Sequence, residues 1–158
     1  MAQATDKYLE TLQLYYEEEI EGEAYFDAIA ERLTDPDERE NMRLMARVEA
    51  VAAASVSPLL RRHGLTPRPA AELQASGRAS AAEVTTDYAT LIAEWRRSFP
   101  AYIDDFERLE AMAPPGDLPA LRVLTAHEVA ANAYLDLEDE GQPDSAAPMR
   151  RYIETGTA

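Results

Sequence analysis

The chain has 158 residues, 46% of them hydrophobic and 28% charged, which is ordinary for one soluble globular domain spanning 1–158. The absence of cysteine excludes disulfides, a thiol nucleophile and a thiolate metal site. The net charge of −15 argues against binding to nucleic acid or to acidic membranes. The sequence contains no apolar run of roughly 18 residues and no signal-peptide pattern, so we expect a cytoplasmic location.

The first predicted helix runs from about residue 5 to 33. Its inner stripe mixes acids with apolar side chains, because residues three and four apart share a helix face. The acids on that stripe are Glu19 and Glu23, which align with Leu9, Leu12, Tyr16, Phe26 and Leu33. Gly22 indicates either close approach by a neighbouring helix or ligand, or simply a tolerated glycine.

The second predicted helix covers 36–63, with Asp35 as its N-terminal cap and Gly64 as its stop. The turn before it is short, so the first two helices should be antiparallel neighbours. Glu49 lies on its inner stripe. The stretch of about 65–79 loses the helical periodicity, with a turn-like Ser-Gly-Arg, and predicts an extended crossover that makes the second and third helices parallel.

The third predicted helix covers 81–112 and should bend just before Pro100, which interrupts the hydrogen-bond ladder. Glu94 lies beside its main stripe. That stripe is the most aromatic face of the chain and consists of Tyr88, Leu91, Trp95, Phe99, Tyr102, Phe106 and Leu109. An aromatic face of this kind favours dimerisation, and we expect a homodimer.

The fourth predicted helix covers 118–140, with Asp117 as its cap. Glu128 lies on its inner stripe, and His127 occupies the adjacent flank. A short fifth helix over 145–154 can pack onto the others. The chain is therefore predicted to be all-α, with four long helices and a short C-terminal one.

Inward carboxylates thus recur on all four long helices. An unpaired charge in a core costs several kcal/mol, so these acids must bind a cation, pair with arginine, carry protons, or be less buried than the pattern suggests. Oxygen ligands suit hard cations such as magnesium, manganese, calcium or iron. The acids predict a shared metal site. The alternative is that the stripes are misplaced by one position, which would leave Glu19 or Glu94 facing solvent.

Several features occur together in residues 8–140: Gly22-Glu23 in a long first helix, Glu49, the crossover, Glu94 followed by Phe99-Pro100, and Glu128. Together they resemble the ferritin-like superfamily, especially rubrerythrin-type di-iron proteins. The resemblance implies a ferritin-like four-helix bundle with a long crossover between helices 2 and 3. It implies that the metal ligands are Glu23, Glu49, Glu94 and Glu128, with Glu19 and His127 as further candidates.

The chain departs from that family at two positions. The superfamily places a His, or a second Glu, three residues after the Glu of the second and fourth helices, where this chain has Ala52 and Ala131. Losing these ligands weakens metal retention. Of the two histidines, His63 is expected either to face the C-terminal end of the second helix, where the helix dipole favours it, or to lie at the surface. His127 points about 100° away from Glu128 and either supports a ligand, binds from the flank or is a hydrogen-bonded core residue.

Three functions remain open. The first is a metal oxidoreductase that holds one or two iron or manganese ions and activates oxygen or peroxide, or oxidises iron. The second is a metal-free descendant, without cofactor, that acts as a binding or dimerisation module. Iron storage in a cage is a third option. The chain has no glycine-rich phosphate loop, and its histidines have no serine in an elbow context, so nucleotide binding and Ser-His-Asp hydrolysis are disfavoured. The small-molecule substrate stays unknown.

Overall fold

The structure is a computed structural model and describes residues 4–158. The predicted all-α class is confirmed, since this part of the chain contains helices and no strand. None of these helices is both long and apolar enough to cross a membrane. The elements are α1 (Asp6–Arg32), α2 (Pro36–Arg62), α3 (Ala70–Ala82), α4 (Tyr88–Ser98), α5 (Pro100–Met112), a 3-10 turn (Pro115–Asp117), α6 (Leu118–Asp139) and α7 (Ala147–Thr155).

The first two helices begin and end close to their predicted positions. The Asp35 carboxylate accepts hydrogen bonds from the backbone N–H groups of Asp37 and Glu38, at 2.9 and 3.0 Å, and so caps α2. Gly64 has φ +67°, the left-handed conformation that lets the backbone leave the helix. The connection between α1 and α2 is short, and the two helices pack along each other as an antiparallel pair.

The predicted crossover is not extended, because most of it forms α3, which packs against α1. Gly77, expected in a turn, lies buried in this contact. A Cβ there would overlap the carbonyl oxygen of Glu21 and lie 3.0 Å from its carbonyl carbon. The buried carboxylate of Glu17 fixes the preceding loop by accepting a hydrogen bond from the backbone nitrogen of Arg68 at 2.9 Å. Contact with α1 therefore stabilises a helix that has little amphipathic pattern of its own.

The helix predicted over 81–112 is two helices with a later start. Residues 81 and 82 end α3, and α4 begins after Asp87, whose carboxylate accepts the backbone N–H of Thr90 at 3.2 Å. Phe99 separates α4 from α5. Pro100 has no N–H to continue the ladder, so it opens a new helix at its first position. The interruption falls at Phe99, just before Pro100 as expected, and Phe99 itself keeps helical dihedral angles of φ −69° and ψ −32°.

Contacts at the two ends of the bundle define the helix directions. At one end, Tyr8 near the start of α1 and His63 after the end of α2 both contact Asp117, just before α6. At the other end, Asn41 near the start of α2 donates to the hydroxyl of Tyr88, the first residue of α4, at 3.2 Å. Thus α1 and α6 run one way, and α2 and α4 run the other way.

Asp117 does not cap α6 with its side chain, although the sequence predicted that it would. Its carboxylate is buried, and it accepts hydrogen bonds from the hydroxyl of Tyr8 and the guanidinium of Arg62, both at 2.7 Å. Nε2 of His63 lies 2.6 Å from the same carboxylate, so this histidine pairs with a buried acid. Burial alone would raise the pKa of Asp117, but the hydrogen bonds from His63 and Tyr8 outweigh it and lower that pKa.

The hydrophobic core is divided into two clusters along the bundle. The larger one includes Phe26, Met45, Trp95, Tyr134 and Tyr152. The smaller one includes Leu12, Val56, Phe106 and Leu124. In α1, α2 and α6, the residues at the level between the two clusters include buried polar side chains, namely Glu19, Glu49, His127 and Glu128. The fold therefore encloses a polar layer between two apolar ones.

Candidate metal centre

Three helices bring these four side chains to one point. Glu19, Glu49 and Glu128 are 3%, 8% and 8% exposed, and His127 is 0% exposed. Nε2 of His127 lies 3.1 Å from Oε2 of Glu19, 3.4 Å from Oε1 of Glu128 and 3.9 Å from Oε1 of Glu49. One ligand atom each from Glu19, Glu49 and His127 lies within 4.8 Å of the other two. This spacing suits a single metal ion.

A backbone contact fixes how His127 presents its ring. Nδ1 faces the carbonyl oxygen of Leu124, which can only accept a hydrogen bond, so Nδ1 carries the proton and donates. Nε2 then faces the carboxylates. It lies within ion-pair distance of Oε2 of Glu19, but the direction is not that of a hydrogen bond. Within residues 4–158, the buried Oε2 atoms of Glu19 and Glu128 likewise accept no hydrogen bond. Buried polar atoms rarely lack a partner, and a cation among these three atoms would satisfy all of them.

The electrostatics of the cluster favour bound protons when no cation is present. Burial, followed by repulsion from Glu19, raises the pKa of Glu49 well above its usual range. Burial also raises the pKa of Glu128. Burial would lower the pKa of His127, but the negative charge of Glu19 outweighs it and that pKa is raised well above the usual value. A metal ion would therefore displace protons when it binds.

The structure brings four of the six candidate ligands together and leaves two apart. Glu94 is exposed on α4. Glu23 is half-buried and lies beside Gln74 and Arg78 of α3. Glu23 lies one turn farther along α1 than Glu19 and about 40° round the helix, so Glu19 reaches the cluster and Glu23 does not. Ala52 and Ala131, the positions of the missing family ligands, are buried apolar residues.

Gly22 provides the space that Glu49 occupies. A Cβ at residue 22 would lie 2.5 Å from Oε2 of Glu49 and 3.1 Å from its carboxyl carbon. The close approach that the sequence allowed for is therefore made by α2, through the side chain of Glu49. The absence of a side chain on α1 at this position lets the acid of α2 reach the cluster.

We expect the substitution Gly22→Ala to displace the Glu49 carboxylate and leave the bundle folded, because the obstructing atoms end a flexible side chain. The affinity for Mn²⁺, measured by calorimetric titration, should fall about 10–100-fold, as when ligand orientation is disturbed. The melting temperature should change little, since alanine favours the helix by roughly 1 kcal/mol. Gly116→Ala is the matched control, as no atom lies within 4 Å of a Cβ there. Unchanged Mn²⁺ affinity in Gly22→Ala would contradict the assignment of Glu49.

A cavity of about 420 Å³ leads from the cluster towards the surface between α1 and the α4–α5 pair. Glu18 and Tyr102 at its edge are exposed. Its acidic lining residues are Glu18, Glu19, Glu21, Glu49 and Glu128. Its aromatic lining residues are Tyr25, Phe26, Trp95, Phe99, Tyr102 and Phe106. Four of these aromatic residues come from the predicted stripe of the third helix, so that stripe forms a cavity wall as well as core.

The candidate site thus has three carboxylates and one imidazole at its inner end and an aromatic wall leading outward. Glu18 and Tyr25 belong to it without having been predicted, because neither lies on the stripe that periodicity assigns to the core. His127 belongs to it because α6 is rotated so that this residue faces inward.

Comparison with known proteins adds no family to this description: no protein-family model, no curated protein and no solved structure matches the chain.

Proposed function

We propose that the chain is a ferritin-like oxidoreductase in which Glu19, Glu49, His127 and Glu128 bind iron or manganese. One observation carries the proposal: Nε2 of His127 is buried, makes no hydrogen bond within residues 4–158 and faces carboxylates from three helices. Carboxylates this deeply buried are stable as anions only next to a compensating charge. A divalent ion supplies that charge and accepts the nitrogen lone pair as a ligand.

The ligand set supports one ion rather than a pair. A di-iron site of the family would draw on Glu23 and Glu94 and on nitrogen ligands at positions 52 and 131. Here Glu94 is exposed, Glu23 faces α3, and both other positions are alanine. One imidazole with up to three carboxylates suits iron, manganese or zinc. The family resemblance favours the two redox-active metals.

The helix directions support the ferritin-like kinship. α1 and α6 run opposite to α2 and α4, and a long connection carrying α3 joins α2 to α4. The polar cluster lies in the interior, between the two apolar clusters. The difference from the family lies in α4–α5, which contributes aromatic side chains where the resemblance implies the carboxylate of Glu94.

An iron or manganese ion held by these four side chains would supply redox chemistry for a substrate in the cavity. The chain's own residues set the conditions for it. The carbonyl of Leu124 holds the His127 ring in the tautomer that presents Nε2. In the metal-free chain, burial raises the pKa of Glu128, so this carboxyl favours a proton that a metal ion would have to displace. The aromatic residues line the cavity through which a substrate would reach the cluster.

Metal titration tests the proposal. Protein freed of metal by chelator should take up about one Mn²⁺ or Fe²⁺ per chain, the latter without oxygen, and at 100 times Kd gain about 2.7 kcal/mol of stability. For a chain of this size that raises the melting temperature by roughly 5–11 °C. Oxygen consumption by the Fe²⁺-loaded protein supports the oxidoreductase. Less than about half an equivalent of metal by elemental analysis, with an unchanged melting temperature, would contradict the metal centre.

The pH dependence of stability provides a second prediction. Because the pKa values of Glu49 and His127 are raised in the folded state, the folded chain binds more protons than the unfolded one. Their stabilisation is complete below the model-peptide values of 4.5 and 6.5 and is lost as pH rises through the folded values. The melting temperature of metal-free protein should therefore fall as the pH rises above about 6.5, where the folded chain holds both protons more tightly than the unfolded chain does.

The same measurement with excess Mn²⁺ should show the opposite trend up to about pH 8, because metal ligands must lose their protons. The variant Glu49→Gln removes one titrating group, so its metal-free slope should be shallower than that of the wild type. Parallel slopes with and without metal would contradict the assignment of the cluster as the binding site.

The metal-free module is the second candidate, and the short distance between His127 and Glu19 supports it. A protonated imidazole 3.1 Å from Glu19 would neutralise part of the cluster without any metal. Exposed large apolar side chains at Leu14, Tyr102 and Val129 offer contacts for the expected homodimer. This candidate predicts a melting temperature that is indifferent to chelator. Sedimentation at dimer size supports the homodimer and excludes an iron-storage cage.

A further inference from the structure

The charged side chains that line the cavity outside the proposed metal site are all acidic. Its lining includes five glutamates and, among residues 4–158, no lysine or arginine. Arg68 lies 3.5 Å from Glu21, whereas Glu18, the acid at the cavity edge, has no basic side chain of residues 4–158 within ion-pair distance. At the inner end, Oε2 of Glu128 is buried, unpartnered and part of the lining. Anionic ligands are therefore excluded, and a cationic one is favoured.

The acids keep an excess of negative charge even with a metal ion in place. Glu19, Glu49 and Glu128 together carry three negative charges when ionised, which one divalent ion does not neutralise. Glu18, which lines the cavity at its exposed edge, adds a further carboxylate to this set. The unbalanced charge extends from the metal end of the cavity to its mouth.

Much of the remaining cavity lining, which we call the aromatic wall, consists of aromatic rings in mutual contact. The Trp95 and Phe99 rings stack with centroids 5.8 Å apart, and the Tyr25 ring meets Trp95 at 6.3 Å and 63°. Tyr102, half-exposed, continues the wall from Phe99 at 5.6 Å. Aromatic rings that line a cavity beside carboxylates favour alkylammonium groups over neutral groups of the same shape, because a cation is attracted to an aromatic ring.

We propose that the outer part of the cavity binds a small organic ammonium ion between the aromatic wall of Trp95, Phe99 and Tyr102 and the carboxylate of Glu18. The volume of about 420 Å³ lies within the range of small-molecule sites. This inference rests on the proposed function, since it assigns the inner carboxylates to the metal and identifies the substrate class of the same site as a cationic amine.

The test uses the full chain loaded with Mn²⁺ and two probes of the same shape. Choline carries the positive charge, and 3,3-dimethylbutan-1-ol has carbon in place of the nitrogen. Trp95 is the single tryptophan, so its fluorescence reports on the cavity without a label, and calorimetry confirms each affinity. Choline should bind about 10-fold more tightly than the alcohol. Equal or tighter binding of the alcohol, or no binding of choline, overturns the proposal.

Two variants locate the ammonium group. Glu18→Gln should weaken choline binding about 3–10-fold and leave binding of the alcohol unchanged, because it removes a charge from an exposed position without touching the core. Glu10→Gln, an exposed acid two turns earlier in α1, is the matched control and should bind choline like the wild type. A loss of choline binding in Glu10→Gln equal to that in Glu18→Gln overturns the location.

The same samples separate this proposal from the metal centre. Mn²⁺ binding without choline binding overturns the ammonium site alone. Choline binding in a protein that takes up no Mn²⁺ contradicts the metal centre and supports the ammonium site. Displacement of bound Mn²⁺ by choline would overturn the division of the cavity into an inner metal end and an outer ammonium end.

Discussion

Replacing His127 with alanine should abolish tight metal binding and destabilise the metal-free fold. The imidazole supplies the only nitrogen ligand among the four side chains, and even disturbing a ligand's support weakens metal affinity about 10–100-fold. We expect at least the upper end of that range. Without the ring, the buried Glu19 and Glu49 lose their one neighbouring positive charge, which costs about 3–5 kcal/mol. The melting temperature near pH 8 should fall by roughly 6–20 °C.

The other histidine offers a matched control for this substitution. His63→Ala removes the same ring, but from a position at the end of the bundle, where it pairs with Asp117 at 2.6 Å. Its cost should be about 1–3 kcal/mol, that of one hydrogen bond to a charged group, with Mn²⁺ affinity unchanged. Mn²⁺ titration and thermal unfolding of both variants decide the matter. Equal Mn²⁺ affinity in His127→Ala and the wild type would remove His127 from the metal centre.

Replacing Gly77 with alanine should separate α3 from α1. The new Cβ would overlap the Glu21 carbonyl oxygen and lie 3.1 Å from the backbone nitrogen of Tyr25, and backbone atoms within a helix cannot rotate away. Overpacking typically costs about 1–3 kcal/mol and sometimes more. Alanine's higher helix propensity returns roughly 1 kcal/mol at most. We expect a net loss of stability and faster amide hydrogen exchange throughout α3 than in the wild type.

Gly116→Ala is again the control, since residue 116 lies in an open turn with no atom within 4 Å of a Cβ. Its melting temperature and its exchange rates in α3 should match those of the wild type. Comparison of Gly22→Ala with Gly77→Ala then separates two kinds of close approach. The first should lower metal affinity with little loss of stability, and the second should lower stability. Unaltered exchange in α3 of Gly77→Ala would show that the helix packing tolerates the methyl group.

The sequence predicted the helices whose ends carry their own signals. Asp35 and Gly64 mark the start and end of α2, because a carboxylate cap and a left-handed glycine act through neighbouring backbone groups alone. Local signals were insufficient for α3. Its residues lack a strong amphipathic pattern, and Gly77 is typical of a turn until the surface of α1 is beside it. The local sequence also failed to predict the role of Asp117, because its carboxylate accepts hydrogen bonds from side chains far away in the chain.

In the candidate site, too, local sequence signals predicted some residues and tertiary packing decided the others. Periodicity alone placed Glu49 and Glu128 on the inner faces of their helices. An acid that falls among apolar residues at helical spacing can be recognised from the sequence. Periodicity could not choose between Glu19 and Glu23, which share a stripe. That choice depends on where α3 covers α1 and on the level at which α2 and α6 cross it.

By itself, the sequence determined an all-helical chain with acids directed into its interior, because helix caps and amphipathic stripes are properties of near neighbours. Only the tertiary structure decided which acids meet, that His127 joins them, and that an aromatic cavity adjoins them. These features depend on the rotation and axial position of each helix against its neighbours. Packing between residues far apart in the chain sets the rotation and the axial position of each helix, so no local sequence pattern predicts them.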